Sequence, residues 1–209
     1  MKLSHVIRVG IAVFAASAIL GACDTGVGGT GGSEQNTGRP GHLKISDTAG
    51  GFSGMLDDYD RFGSAVAAPG DIDGDGVDDL VVGADYDGDG GTGRGAVWVL
   101  FLNADNTLDN YQKISDTVGG FPDSLNDNDR FGASIAAPGD LDGDKVPDLV
   151  VGSIFAGNSA WVLLLYPNGR VKSYQRISEN AGGFAGTLDS DDRFGQSLAA
   201  PGDIDGDGT

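Results

Sequence analysis

Short apolar runs separated by glycine- and aspartate-rich segments recur along the chain from residue 44 onward. Turn-forming residues interrupt these runs every few positions, and no 3.6-residue apolar period is sustained across them. Runs of this length suit strands rather than helices. The pattern therefore predicts an all-β fold.

The apolar runs fall into two successive units with the same order of elements. The predicted strands of the first unit cover residues 62–67, 80–83, 96–102 and 111–115, and those of the second cover residues 131–136, 149–152, 160–166 and 174–178. Pro167-Asn168-Gly169 separates the last two and is a strong hairpin signal, because Asn-Gly readily adopts the positive φ values of a tight turn. Four antiparallel strands per unit, with the units in tandem, are typical of β-propeller blades.

The units are copies of one sequence repeat. Copies begin with KISDTAGGF at Lys44, KISDTVGGF at Lys113 and RISENAGGF at Arg176. This spacing divides the chain into repeats at residues 44–112 and 113–175 and a partial repeat at residues 176–209. The third copy stops inside its aspartate-rich loop, so we expect the chain to be a C-terminally truncated fragment of a longer protein.

The first predicted strand of each unit is built from small residues. It belongs to a recurring segment that reads RFGSAVAAPGDIDGDGVDDLVVG in the first unit, RFGASIAAPGDLDGDKVPDLVVG in the second and RFGQSLAAPGDIDGDGT in the third. Small residues suit the innermost strand of a blade, where neighbouring blades crowd around a channel. Phe62, Phe131 and Phe194 recur at its start, and we expect them to pack between blades rather than to bind a ligand.

An aspartate-rich loop follows the first strand of each unit. In the first unit, DIDGDGVDD places Asp71, Asp73, Asp75 and Asp79 at positions 1, 3, 5 and 9. Alternate side chains of a tightly curled loop converge on one point, and hard carboxylate oxygens suit Ca²⁺. The carbonyl of Val77 at position 7 would supply a further oxygen. We therefore predict a Ca²⁺ site in this loop.

The other copies repeat this ligand set. The second supplies Asp140, Asp142, Asp144, the carbonyl of Val146 and Asp148, and the third supplies Asp203, Asp205 and Asp207. Lys145 in the second loop stands where the first loop has Gly76. Because lysine tolerates a positive φ less well than glycine, we expect weaker Ca²⁺ binding at the second loop.

Two other interpretations fit these loops less well. An EF-hand shares the first three acids but needs a bidentate acid at position 12 and flanking helices, and position 12 here is Val82 or Val151 within an apolar run. A turn without metal is disfavoured because four acids within nine residues repel one another. Residues 85–89 also carry alternating aspartates, but they have no acid at position 9 and no copy in the second unit. We expect them to form a solvated loop.

The order Phe-Gly, Ala-Pro-Gly-Asp, DxDGD with a ninth-position Asp, and LVVG resembles the FG-GAP repeat of integrin alpha-subunit N-terminal β-propellers and of many bacterial surface proteins. The resemblance covers residues 44–209 and implies about two and a half blades of a seven-bladed propeller. It also implies Ca²⁺ between the first two strands of a blade, on the face opposite the ligand surface. Partners would then meet the loops at residues 46–60 and 85–95 and their equivalents. The Gly-Ala-Pro of the family name reads GAD from Gly83 and GSI from Gly152.

The first 22 residues have the layout of a secretory signal, with Lys2 and Arg8 before an apolar stretch at residues 9–20. The run Leu-Gly-Ala-Cys ending at Cys23 resembles a bacterial lipoprotein box, in which cleavage leaves the cysteine as the lipidated N-terminus. A chance cysteine beside an ordinary cleavage site is the alternative. Residues 23–43 carry this cysteine and a flexible Gly-rich tether. We expect a lipid-anchored, exported protein at the periplasmic face of the inner membrane, the outer membrane or the cell surface.

Charge and residue types narrow the function. The 31 acidic and 13 basic residues give a formal net charge of −18, which repels nucleic acid and anionic membrane surfaces and attracts divalent cations. An acidic surface that merely keeps a secreted protein soluble is the alternative. His5 and His42 lie outside the repeats and Cys23 is the only cysteine, so the repeats hold no His- or Cys-based catalytic arrangement.

These observations favour a calcium-binding, lipid-anchored, non-catalytic scaffold that binds an unidentified protein or glycan, as in adhesion. The alternative is the propeller part of a larger cell-surface enzyme such as a polysaccharide hydrolase, for which a pair of carboxylates would serve.

Overall fold

The computed structural model describes residues 43–121, 123–155, 158–189 and 191–202. Its strands are β1 (Phe62–Gly70), β2 (Asp79–Ala84), β3 (Ala96–Leu102), β4 (Leu108–Ser115), β5 (Ser134–Gly139), β6 (Asp148–Ser153), β7 (Ser159–Leu165) and β8 (Val171–Ile177). They form two four-stranded antiparallel sheets in the orders β1-β2-β3-β4 and β5-β6-β7-β8. The predictions of an all-β fold and of four strands per unit are confirmed. In the part of the chain that the structure describes, no helix has the length and apolar character needed to cross a membrane.

The central strands of the two sheets are structural copies of each other. Every residue of β2 and β3 is buried, which suits strands covered on both faces. Val82 pairs with Trp98 in the first sheet, and Val151 pairs with Trp161 in the second. The repeated sequence thus produces the same register twice, and the prediction for β3 at residues 96–102 agrees with the structure at both ends.

The first strand of the second sheet begins later than the sequence pattern predicts. The pattern starts it at residue 131, whereas β5 starts at Ser134. Arg130 and Gly132 have φ values of 54° and 90°, which lie outside extended backbone. Phe131 instead forms an isolated parallel bridge with Gly95 of the first unit. The prediction is wrong at residues 131–133 because left-handed residues on both sides of Phe131 interrupt regular pairing with β6, of which a single hydrogen bond from Gly132 to Gly152 remains.

Glycines allow the two sheets to approach closely. A Cβ on Gly83 of β2 would overlap the carbonyl oxygen of Gly132, and a Cβ on Gly152 of β6 would overlap that of Gly195 in the third copy. Within the second unit, the Gly132 N–H donates to the Gly152 carbonyl at 3.1 Å. β1 also contacts β5 across this boundary. The contact between β1 and β5 agrees with small residues where the first strands of neighbouring units meet. Their innermost position beside a channel stays a prediction.

A shared hydrophobic core joins the two sheets. Val97 of the first sheet and Trp161 of the second belong to the same buried cluster. Phe131 lies in this cluster and is fully buried, which confirms that it packs between the units. Phe62 packs on Phe52 with ring centroids 5.4 Å apart, in a second cluster built around the first sheet.

A ladder of arginines and aromatic rings runs from one repeat to the next. Arg61 of the first repeat and Arg130 of the second both lie over the ring of Tyr86. Their guanidinium carbons are 5.4 Å and 5.3 Å from the ring centroid. Arg130 also lies 4.1 Å from the ring centroid of Phe155, which Arg193 approaches to 5.2 Å. Guanidinium groups at these distances are attracted by the ring face. Arg130 and Arg193 therefore each contact an aromatic ring of the preceding repeat, whereas Arg61 contacts Tyr86 of its own repeat.

Candidate metal centre

The first aspartate loop connects β1 to β2 and is curled around the carboxylate of Asp71. Asp71 Oδ1 accepts the N–H groups of Gly74 at 2.7 Å and Asp75 at 3.1 Å, and its Oδ2 accepts the N–H of Gly76 at 2.8 Å. Gly74 and Gly76 have φ values of 82° and 90°, a region that glycine enters without steric cost. One carboxylate and two glycines thus set the path of this loop.

Asp79 fixes both ends of the loop to the sheet. Its Oδ2 accepts the N–H of Ile72 at 2.9 Å, and its Oδ1 accepts the N–H of Leu102, at the end of β3, at 3.1 Å. Burial raises the pKa of Asp79 to about 6, although these backbone donors act in the opposite direction. Asp79 therefore links the loop to the end of the neighbouring strand through hydrogen bonds that need no metal ion.

The first loop brings three carboxylates together. One oxygen from each of Asp71, Asp73 and Asp79 lies within 4.8 Å of the other two. Oxygens that share one Ca²⁺ at 2.3–2.6 Å lie at most about 5 Å apart, so the spacing and the hard donor set both fit this ion. Partial desolvation raises the pKa of Asp73, and the neighbouring carboxylates of Asp75, Asp71 and Asp109 raise it further. The group does not include Asp75, whose Oδ1 accepts the N–H of Val77 at 2.8 Å.

The second loop, between β5 and β6, has the same backbone scaffold. Asp140 Oδ1 accepts the N–H groups of Gly143 at 2.7 Å and Asp144 at 3.1 Å, and its Oδ2 accepts the N–H of Lys145 at 2.8 Å. Lys145 has a φ of 73°, so lysine makes the turn that Gly76 makes in the first loop. Asp148 repeats the part of Asp79 and accepts the N–H groups of Leu141 and Leu165 at 2.7 Å and 3.0 Å.

The second loop differs from the first because a lysine side chain bonds to its carboxylates. Asp140, Asp142 and Asp144 bring oxygens within 4.8 Å of one another. Lys172 of β8 donates from Nζ to Asp142 Oδ2 at 2.6 Å and to Asp144 Oδ2 at 2.8 Å. Its ammonium group lowers the pKa of Asp144. A positive charge therefore lies between two carboxylates of this loop, as expected if the arrangement suits a cation.

The remaining predicted ligands stay predictions. The carbonyl groups of Val77 and Val146 are proposed ligands, and the N–H groups of both valines donate to loop aspartates. The third-copy aspartates, Asp203, Asp205 and Asp207, lie outside the described residues, as does the predicted lipidation site, Cys23.

The loop at residues 85–89 is not the solvated loop that the sequence indicates. Asp85 and Asp87 are only 5% and 2% exposed. Asp85 lies 3.4 Å from the guanidinium of Arg61, and Asp87 lies 2.9 Å from the ammonium of Lys113. Burial raises the pKa of Asp85, while Arg61 and Arg130 lower it. The prediction was wrong because basic residues 24 and 26 positions away in sequence cover these two carboxylates.

Comparison with known proteins finds one family match and several partial relatives. Residues 62–100 match the FG-GAP repeat. The chain is 39% identical to integrin alpha pat-2 of Caenorhabditis elegans over 112 residues, which are 53% of this chain and 9% of that protein. It is 36% identical to human integrin alpha-IIb over 102 residues, or 49% of this chain and 9% of that protein. It is 35% identical to integrin alpha-PS5 of Drosophila melanogaster over 153 residues, or 70% of this chain and 14% of that protein.

These matches support an integrin-like FG-GAP propeller. FG-GAP repeats form β-propeller blades, and the two four-stranded antiparallel sheets agree with that architecture. The alignments span between 9% and 14% of the length of the curated relatives cited here.

Proposed function

We propose that this chain is a calcium-binding part of an extracytoplasmic β-propeller that serves as a non-catalytic binding or adhesion scaffold. The observation that carries the proposal is the first loop, where oxygens of Asp71, Asp73 and Asp79 lie within 4.8 Å of one another. The likeness to integrin alpha chains supports the scaffold role.

The loop residues have separate tasks in this proposal. Asp71 and Asp79 accept backbone N–H groups that hold the loop in shape, while Asp73 lies exposed at its outer side. Bound Ca²⁺ would supply the positive charge that offsets repulsion among the three carboxylates. With free Ca²⁺ about tenfold above a Kd of about 10⁻⁴ M, binding at one loop stabilises the folded chain by about 1.4 kcal/mol.

The proposed partner surface lies at the opposite ends of the strands. The aspartate loop follows the end of β1 at Gly70, whereas residues 46–60 precede its start at Phe62. Met55 and Tyr59 in that segment are 86% and 76% exposed. An exposed tyrosine offers both an apolar ring and a hydroxyl group to a protein or glycan partner. Calcium would thus shape one face while the ligand binds at the other.

The calcium proposal is tested by calorimetric titration of the full chain and by thermal melting with and without chelator. Asp73→Asn should weaken binding at the first loop by at least about tenfold, because one of three converging charges is lost. Calcium should raise the Tm of the wild-type chain by about 3 °C. Asp58→Asn removes one exposed acid outside the loop and is the control. A wild-type Tm that chelator leaves unchanged would count against the proposal.

Lipid anchoring through Cys23 is a separate part of the proposal. Its support is the lipoprotein-like run that ends at this cysteine. Labelling of growing cells with a radioactive fatty acid should mark the wild-type protein and leave Cys23→Ser unlabelled. Equal labelling of the two proteins would reject the anchor without affecting the calcium proposal.

A further inference from the structure

The two described aspartate loops have the same backbone but opposite charges beside them. Trp98 and Trp161 occupy equivalent places in β3 and β7, as do Tyr111 and Tyr174 in β4 and β8. The members of each pair are 63 positions apart in sequence. By the same offset, Lys172 of the second sheet corresponds to Asp109 of the first. The second loop thus has a base where the first has an acid.

The ammonium group of Lys172 forms ion pairs with two carboxylates of the second loop. Its ammonium lies 2.6 Å and 2.8 Å from Oδ2 of Asp142 and Asp144. These are short, charge-assisted hydrogen bonds. In the first loop, Asp109 instead adds a repulsive interaction with Asp73. The first loop therefore concentrates negative charge, while the second carries its own counter-charge.

We propose that Lys172 is a built-in counter-ion that makes the second loop independent of calcium, so that of the two described loops only the first depends on the metal. The inference rests on the proposed calcium binding at the first loop. To enter the second loop, Ca²⁺ has to displace the lysine ammonium from both carboxylates and remain close to a like charge. Both effects weaken binding there.

Lys145 does not account for this difference. It has the same kind of left-handed backbone as Gly76, with φ values of 73° and 90°. Each residue donates its N–H to the first aspartate of its loop at 2.8 Å. The substitution leaves the loop scaffold in place, and the base that bonds to carboxylates of the second loop is Lys172.

The test follows each loop separately in the full chain by NMR. The N–H groups of Gly74 and Gly143 donate to equivalent aspartate oxygens at 2.7 Å in the two loops. In the wild-type chain, calcium should shift the Gly74 amide resonance at lower concentration than the Gly143 resonance. Lys172→Gln should lower the calcium concentration needed to shift Gly143 by about tenfold or more and leave Gly74 unchanged. Lys145→Gly should not reproduce this effect.

Melting in chelator gives a second readout. Lys172→Gln should lower the Tm in chelator, because the second loop loses its counter-charge, and calcium should restore it. Arg170→Gln removes the same charge from the turn before β8 and is the matched control. Asp109→Lys should weaken calcium binding at the first loop and raise the Tm in chelator.

The outcomes separate this inference from the calcium proposal. If Lys172→Gln changes neither the calcium response of Gly143 nor the Tm in chelator, the counter-ion role is wrong even when Gly74 responds to calcium. If Gly74 does not respond at millimolar calcium, the calcium proposal fails. The Tm of Lys172→Gln in chelator still decides whether the lysine stabilises its loop.

Discussion

Gly83 of the first sheet lies against Gly132 at the start of the second unit so closely that a Cβ on Gly83 would overlap the Gly132 carbonyl oxygen. The Ser64 hydroxyl donates to that same carbonyl at 3.3 Å. Backbone rather than side chains therefore forms this part of the boundary, and the sheets cannot separate slightly without losing the contacts around it.

Gly83→Ala should destabilise the chain through this contact. The added methyl group forces the sheets apart, and overpacking of this kind costs about 1–3 kcal/mol. Chemical denaturation measures the effect as a lower midpoint at an unchanged slope. Gly88→Ala is the control, since a Cβ there meets its nearest neighbour at an ordinary 3.7 Å. Equal midpoints for the two variants would contradict the close approach.

Asp148→Asn should destabilise the second sheet even without metal. Asp148 is fully buried, and each of its oxygens accepts one backbone N–H. The amide nitrogen of asparagine would face one of those donors, which leaves that donor unsatisfied at a cost of about 1–3 kcal/mol. Denaturation in chelator isolates this structural role from any metal. Asp78→Asn, at an exposed loop position, should leave the midpoint unchanged.

Asp60 should make stability depend on pH in the acidic range. Burial raises its pKa to about 6, against an ordinary value of 3.8. The hydrogen bond from the backbone N–H of Asp57 and the positive charge of Lys113 oppose this rise, and the negative charge of Asp87 adds to it. The folded state therefore binds the proton more tightly than the unfolded state. This contribution is complete below pH 3.8 and is lost as pH rises through about 6.

The test compares the wild-type chain with Asp60→Asn from pH 4 to pH 7. The stability of the wild type relative to the variant should fall by about 1–3 kcal/mol over this range. Asp192 is an exposed equivalent in the third copy whose Oδ2 accepts the N–H of Asp189 at 2.8 Å. Asp192→Asn is the matched control for the loss of an exposed carboxylate at the equivalent position. A pH-independent difference between wild type and Asp60→Asn would refute the assignment.

Arg130→Ala should cost more stability than Arg193→Ala. Arg130 lies between the rings of Tyr86 and Phe155, whereas Arg193 is exposed and its ring contact is with Phe155. Two cation–π contacts at a partly buried site contribute about 1–2 kcal/mol, against about 0.5 kcal/mol for one exposed contact. Thermal melting compares the two losses. A larger loss for Arg193→Ala would show that the ladder does not stabilise the boundary.

Sequence reasoning succeeded where local chemistry determines structure. β3 could be predicted at both ends because all of its residues are buried and flanked by turn formers. The path of the aspartate loops follows from the spacing of carboxylates and glycines, since Asp71 and Asp140 bond to amides at most five residues away. These features need no knowledge of the neighbouring sheet.

The fourth strand of each unit starts three residues earlier than predicted, at Leu108 and Val171. The larger errors and omissions involve distant residues. Phe131 has a strand-like sequence, but it forms a bridge with Gly95 of the other unit. Lys172 was missed as a loop partner because it lies 28 and 30 positions from the aspartates that it contacts. A comparison of the two copies position by position would have found it, since Asp109 occupies the equivalent place. The arginine ladder had a similar signal in the arginine that precedes every Phe-Gly.

The contacts between repeats have an evolutionary consequence. Gly152 lies against Gly195 as Gly83 lies against Gly132, so this backbone contact between a repeat and its successor recurs at both junctions. A gene duplication that inserts one whole repeat would therefore supply both halves of each new junction at once. Chains of this kind can change length without first acquiring a compatible interface.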